Sequence, residues 1–399
     1  MNATCGHPVT PPAPMANRGD WLLDPAVVYL NHGCFGARLR RVFDTQTAWR
    51  EQFERQPLQL LERERGDLLE NAKTTLGLRL GMGPSDVGFV TNATDGVNAV
   101  LRSLRFESGD VMLTTNHVYN AVRQTMRHLA THVGATWREL DVPYPVSSPG
   151  QVIEAIAGAL DDRVKVLVID HITSPTAVRF PVEAILEAAR ARGIDVLIDG
   201  AHAPGMIDLD VTALDAAYYT GNLHKWVCAP PGSAFLWVRP DRQAGIHPTV
   251  ISHFYDEGFA AEFAWQGTRD ISGWLSVPAA FETLDALGGG TWSSVMEHNH
   301  QLATWAQLEL SRRWDVPTPT PADGSMLGSM VAMPVPPDAI AAAGTPERLH
   351  LCLLERSKIE VPVIEWNGRW LIRPSFQAYN TPADVEKLAH AVIDAAEHL

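Results

Sequence analysis

Val196-Leu197-Ile198-Asp199-Gly200-Ala201-His202, followed by Tyr219-Thr220-Gly221-Asn222-Leu223-His224-Lys225, decides how this chain reads. A short apolar run ending in Asp is a strand buried on both faces with a carboxylate at its tip. A second run that passes into a polar turn and a lysine presents an amine at the same edge. Pyridoxal 5′-phosphate needs both: a lysine for a Schiff base with its aldehyde, and a carboxylate that keeps its ring nitrogen protonated. Either residue alone is an ordinary solvated strand end. Their order is what points to a cofactor.

Outward from that pair, β-rich runs alternate with amphipathic helical stretches from Ser85 to Val238. Strands are expected at Val87–Val90, Val111–Thr114, Thr136–Leu140, Val164–Ile169, Val196–Ile198, Ala217–Thr220 and Ala234–Val238. Helices are expected at Gly96–Arg105, Ala121–Val133, Val152–Leu160 and Val182–Arg192. The alternation predicts an α/β fold, with a mainly parallel seven-stranded sheet covered by helices on both faces. Ligands of such sheets lie beyond the carboxyl ends of the strands, where Asp170, Asp199 and Thr220 fall. His224 to Gly232 holds two prolines and reads as a loop, so the last interval has no long helix.

After Gly267–Pro278 the pattern changes. Helical periodicity runs from Ala279 to Trp314, then a β run at Ser329–Met333 and a helix at Pro346–Ser357. Two β runs, Val361–Glu365 and Arg369–Ile372, flank Asn367-Gly368, a hairpin turn signal. A last helix covers Ala383–Ala396. The expected division is an arm at 1–28, a large domain at 29–270 and a small α+β domain at 271–399, with a helix Arg40–Arg65 ahead of the sheet.

The formal net charge of −14 and the lack of a dense Lys/Arg run argue against nucleic acid as a partner. No apolar run is long enough to span a bilayer, and the Pro-rich start lacks the pattern of a signal peptide. The four cysteines, Cys5, Cys34, Cys228 and Cys352, form no CxxC pair, which disfavours a structural zinc site and fits a reducing cytoplasm. No metal is expected.

Further residues suit the same cofactor. Val87 to Gly96 reads as strand, polar turn and helix start, with Thr94 and Asp95 as expected caps that leave amide N–H groups for an anion. Asn222 and His224 add donors nearby. His117 or Tyr119, after the second strand, is placed to stack on a ring. His202 is placed to reach the ring's phenolic oxygen. Arg373, just after a C-terminal strand, suits bidentate binding of a substrate carboxylate. Asn31, in Tyr29-Leu30-Asn31-His32-Gly33-Cys34-Phe35-Gly36, and Arg269 are further substrate-side candidates.

In order along the chain, YLNHGCFG, VTNATDGVNAV, VLIDGAHAPG, YYTGNLHKWVCAPPG, WQGTRDIS and LIRPSFQAYN resemble the class V aminotransferase family of fold type I pyridoxal phosphate enzymes, and within it the isopenicillin N epimerase group. The resemblance runs from Tyr29 to Asn380. It implies Lys225 as the Schiff-base lysine, Asp199 as the pyridinium partner and His202 beside the ring hydroxyl. Ala93, Thr94 and Asp95, with Asn222 and His224, match the phosphate turn. Thr268 matches a residue that reaches the neighbouring subunit's phosphate, which implies a homodimer with a shared site. Thr176 and Asn31 match cofactor-side or substrate-side positions, and Arg373 matches the carboxylate arginine. The mobile nucleophilic cysteine of the desulfurase branch has no counterpart, because Cys352 lies on an apolar helix face and is expected to be buried.

The implied activity begins with removal of the α-proton of an amino-acid substrate by Lys225. Expulsion of a sulfur leaving group from Cβ makes a C–S lyase of S-substituted cysteines in specialised metabolism. This is the leading expectation, from the Tyr119 context and a short segment at His253–Gly267. Epimerisation, with Tyr119 or His117 as the acid on the opposite face, is the alternative. Transamination, decarboxylation and a non-catalytic binding role are further ones.

Overall fold

The computed structural model describes residues 10–16 and 18–399. Residues 1–9 and 17 of the expected N-terminal arm, including Cys5, lie outside them. Seven strands form the main sheet, in the order 87–90, 234–238, 218–222, 195–199, 164–170, 111–115, 136–140. All neighbours are parallel except those of Ala234–Val238, which is antiparallel on both sides. The reversal follows from the chain. Without a crossover helix after Asn222, the next strand folds back beside its predecessor instead of continuing the parallel series.

Side chains alternate along each strand and divide the core into two faces. Val111, Leu113, Leu167, Ile169, Val196, Ile198 and Tyr219 join one apolar cluster. Met112, Val166, Val168, Leu197 and Tyr218 join the other, with the helices Ala93–Ser103 and Asn120–Val133. The same period carries Asp170, Asp199 and Thr220 onto the second face. The N-termini of those two helices meet the carboxyl ends of the strands on that face.

The C-terminal part has its own apolar cluster, built from Leu302, Leu310, Leu349, Leu353, Phe376 and Val392 with Leu30 from the opposite end of the chain. Its three-stranded antiparallel sheet pairs Val363–Trp366 with Arg369–Ile372, and the latter with Met333–Pro334. Asn367 and Gly368 both take positive φ, at 48° and 72°, as a two-residue hairpin turn of this type requires. Val28–Tyr29 pairs in parallel with Ile359–Glu360, tying the early chain to the late one. No helix among the described residues is long and apolar enough to cross a membrane.

Three expected elements need correction. The helix Arg40–Arg65 ends at Arg55, where Gln56-Pro57 interrupts it. A π-helical turn at Gln59–Glu64 then leads into a second helix, Arg65–Leu80. The long helical stretch after Ala279 is two helices, Val277–Leu287 and Ser293–Trp314, parted at Gly288-Gly289-Gly290. The β run Ser329–Met333 is buried but mostly unladdered, and only Met333–Pro334 forms a strand.

Leu197, in the middle of the sheet, is fully buried. Leu197→Ala is expected to cost about 2–5 kcal/mol of folding stability, read as a lower denaturant midpoint with an unchanged slope.

Candidate active site

Lys225 lies three residues beyond the strand Tyr218–Asn222, in a turn closed by short backbone hydrogen bonds. Its Nζ is 3.1 Å from His202 Nε2, and Trp226 Nε1 is 3.3 Å from His202 Nδ1. An indole nitrogen only donates, so Nδ1 accepts and the single proton of the neutral imidazole sits on Nε2. In that tautomer His202 donates to Lys225 whenever the amine is unprotonated and its lone pair is free to accept. The electrostatics agree. Burial first, and then the Arg373 guanidinium, lower the Lys225 amine from 10.5 to about 8, against an opposing pull from Asp199. Burial, then Lys225, hold His202 well below its ordinary value.

Beside this amine the sheet ends in two carboxyl groups. Asp170 and Asp199 are partners in register on neighbouring parallel strands, and both are buried. Burial raises each, and the Asp199 charge raises Asp170 further. Asp199 accepts a hydrogen bond from the Ala201 N–H through one oxygen. Asp170 takes the backbone N–H of Tyr119, and its second oxygen has no partner. A cation set over Asp199 would relieve this excess of buried negative charge.

The expected ring-stacking pair separates. His117 is fully buried. Its Nε2 donates to the Val142 carbonyl and its Nδ1 lies 2.6 Å from Thr176 Oγ1. Its ring is packed among Tyr144, Phe180 and Trp366. Burial pushes it down to about 4. His117 and Thr176 thus satisfy each other in the core, with no proton to spare for a substrate. Tyr119, two residues on, is 45% exposed at the head of helix Asn120–Val133, with its backbone fixed on Asp170.

The anion-binding turn is pinned to the lysine strand. Asn92 caps helix Ala93–Ser103 by accepting from the Asp95 N–H, correcting the expected Thr94 and Asp95 cap. The Asp95 carboxylate instead takes the N–H and hydroxyl of Thr91 and the hydroxyl of Thr249. Asn222 Oδ1 accepts the Ala93 N–H at 2.8 Å. A Cβ on Gly96 would collide with Thr220 Oγ1, so glycine lets the helix sit directly on the strand. His224 Nδ1 donates to the Ser233 carbonyl at 3.0 Å.

Arg373, 3% exposed, comes from the C-terminal sheet. Its guanidinium donates to the carbonyl and hydroxyl of Ser174 and to Cys34 Sγ, while Nε has no partner. Such a buried, incompletely satisfied guanidinium suits a carboxylate. Arg269 lies elsewhere. It stacks over Trp274, donates to the Gln266 carbonyl and feels Asp95, so it belongs to the side of the helix terminus. Asn31 spends its amide N–H on Glu360. Thr268 is exposed beside an apolar pocket formed with Trp49, Phe53 and Leu60. Cys352 is buried, as its helix face suggested.

One clasp escaped the sequence reading. His32 Nε2 donates to the Lys225 carbonyl at 3.0 Å, and its Nδ1 is bonded to Tyr379. Gly36 follows with φ of 70°, and a Cβ there would meet the His224 carbonyl and lie 2.9 Å from Lys225 Cα. The two glycines of the NHGCFG run were the visible signal, but not what they press against. Gly36→Ala is expected to cost about 1–3 kcal/mol in backbone strain alone. It should also displace Lys225, read as a lower melting midpoint together with weaker cofactor retention. Full stability with normal retention would contradict the clasp.

The Aminotransferase class-V family pattern matches residues 47–388. The chain is 34% identical over 388 residues to isopenicillin N epimerase of Amycolatopsis lactamdurans, covering 93% of this chain and 95% of that protein. It is 30% identical over 395 residues to a protein named probable L-cysteine desulfhydrase, chloroplastic, from Arabidopsis thaliana, covering 92% and 83%. Among solved structures, a cysteine desulfurase from Thermococcus onnurineus NA1 has the same fold, with a TM-score of 0.79 at 18% identity over 96% of this chain and 98% of that one. With its family pattern matched over most of its length, the chain belongs to the class V aminotransferase family.

Proposed function

We propose that this protein is a pyridoxal 5′-phosphate enzyme that cleaves the C–S bond of S-substituted cysteines by β-elimination. One observation carries the choice of reaction: the site offers a buried lysine amine, lowered to about 8, as base, while His117, an expected acid for the opposite face, has both nitrogens engaged in the core. Elimination needs one base, which takes the α-proton and can return it to the departing thiolate. Inversion needs a second group across the substrate.

The residues present fit the cofactor. Lys225 would hold it through Nζ, Asp199 would serve as the carboxylate partner of its ring nitrogen and Tyr119 as the aromatic partner of its ring, and the Ala93–Asp95 turn with Asn222 and His224 would take its phosphate. When bound, pyridoxal phosphate supplies an electron sink for charge at the substrate α-carbon. Everything else belongs to the chain. Arg373 orients the substrate by its carboxylate. His202 keeps the Lys225 lone pair directed, and burial keeps that amine partly unprotonated near neutral pH. Asp199, desolvated, holds a proton on any basic nitrogen placed against it.

Family membership and the relative named as an L-cysteine desulfhydrase support the lyase reading. Epimerisation is the second reading, favoured by the 34% identity to an isopenicillin N epimerase and by the exposed phenol of Tyr119. Two further statements belong to this proposal. The chain forms a homodimer, supported by the exposure of Phe35, Ile251 and Tyr255 and by a Thr268 turned to solvent. It divides at about residue 270 into a cofactor-holding part and a C-terminal part. The separate C-terminal apolar cluster supports that division, although Phe281 and Leu284 pack with the sheet. The unpaired Cys34, Cys228 and Cys352 support a reducing cytoplasmic setting.

A panel of cysteine S-conjugates tests the reaction. Pyruvate, ammonia and free thiol are expected in equal amounts. Inverted substrate carrying solvent deuterium at the α-carbon, with no pyruvate, would establish the epimerase instead. Borohydride should fix the cofactor to the Lys225 peptide, and Lys225→Ala should lose that adduct. The free amine is the reactive form and its folded value is lowered, so cofactor uptake by cofactor-free protein should rise with pH and level off just above about 8. A rise continuing towards 10.5 would remove the case for a desolvated amine. Asp199→Asn should lower turnover by about 10²-fold or more while leaving the borohydride adduct in place.

A further inference from the structure

Cys34 has no part in the chemistry above, yet it stands inside the site. The clasp of His32 and Gly36 on the Lys225 backbone fixes the short turn that carries it. Its thiol is unpaired and half-buried, 3.2 Å from Arg373 Nη2. Arg373 is a cation buried to 3% exposure with one nitrogen unpartnered, and its neighbours here are the neutral oxygens of Ser174 and this sulfur. The site thus couples an anchor for a carboxylate with a nucleophilic sulfur that touches the anchor. In a cysteine-derived disulfide only Cα and Cβ stand between the carboxyl carbon and the first sulfur. A molecule held by its carboxylate on Arg373 therefore carries its S–S bond close to Cys34. Cys228, by contrast, is fully buried, and burial pushes its thiol up. Cys352 is buried in its helix.

We propose that Cys34 is a thiol–disulfide exchange site for disulfide amino acids anchored by their carboxylate on Arg373. The step balances without an added oxidant. Cys34 sulfur attacks one sulfur of the bound disulfide, the S–S bond breaks, and the other half leaves as a thiol carrying the proton that Cys34 gave up. The product is a mixed disulfide on Cys34 whose carboxylate occupies Arg373, so the modified enzyme is closed to further substrate until a thiol reverses the exchange. This rests on the proposed role of Arg373 as carboxylate anchor and extends it to a substrate class.

The test compares cystine with cystamine, the same disulfide without carboxylates, on the intact holoenzyme. Modification of each cysteine is followed by peptide mass mapping, and pyruvate is read in the same reactions. Cys34 should gain one cysteinyl group about tenfold faster than it gains the cystamine half, the advantage of a charge-assisted anchor. The preference should be absent at Cys5, Cys228 and Cys352, and the group should be removed by added thiol. Arg373→Lys should reduce the preference and Cys34→Ser should abolish the adduct. Equal rates with the two disulfides at Cys34, or an unmodified Cys34 under conditions that modify the unfolded chain, would overturn the proposal. Pyruvate formed with Cys34 untouched refutes exchange and leaves the lyase standing. Because the adduct itself closes the site, the lyase is read on Cys34→Ser: a cysteinylated Cys34 in the native protein together with no pyruvate from Cys34→Ser sustains exchange and refutes the lyase.

Discussion

Two carboxyl groups forced side by side in an apolar interior govern this molecule. Asp170 and Asp199 end neighbouring parallel strands in strict register, and strand alternation turns both to the same face. Neither has an arginine partner among the described contacts, and burial raises both. Like charges so close in a poorly solvated place disfavour ionising together. One must keep its proton or the site must recruit a cation. Asp170 is fixed on the Tyr119 backbone, and Asp199, whose charge pulls on the Lys225 amine, is the carboxylate placed for a cation. The lysine, the imidazole and the guanidinium above it are arranged around that imbalance.

The histidines fill the space between with neutral matter. His32, His117, His171 and His224 are all lowered to about 3 or 4, with burial as the largest cause in each. Each presents one donor and one acceptor without adding charge, so each can lock a backbone carbonyl or a hydroxyl in a place where a cation would compete with Lys225. A site built on one mobile proton needs such inert supports. The loss of His117 from the list of acids is part of the same economy.

Much of the fold was legible because it is local. Alternating apolar runs, the Asn367-Gly368 turn and the prolines after His224 act within a few residues of themselves. Asp199 and Lys225 were legible because each follows a strand whose direction was already clear. What stayed hidden was decided at long range. The fate of His117 depends on Tyr144 and on Trp366, which lies on the C-terminal hairpin, and nothing in Asn116-His117-Val118-Tyr119 reports them. Asn92, in a polar turn of several possible caps, was passed over for its neighbours. The break at Gln56-Pro57 was readable from the proline, but the Arg/Glu/Gln-rich pattern on either side obscured it. Arg269 reads as a second anchor for a carboxylate, but it stacks over Trp274 and feels Asp95, on the side of the helix terminus.

The pairing of Val28–Tyr29 with Ile359–Glu360 has a consequence for how this protein comes into being. A ribosome exposes Lys225 and both aspartates long before it makes the strand that receives the early segment. Until Ile359 emerges, that segment lacks its partner, and Arg373 does not yet exist. In the growing polypeptide the residues of the sheet's reactive edge therefore emerge before the segment from Ile359 to Arg373 that roofs them.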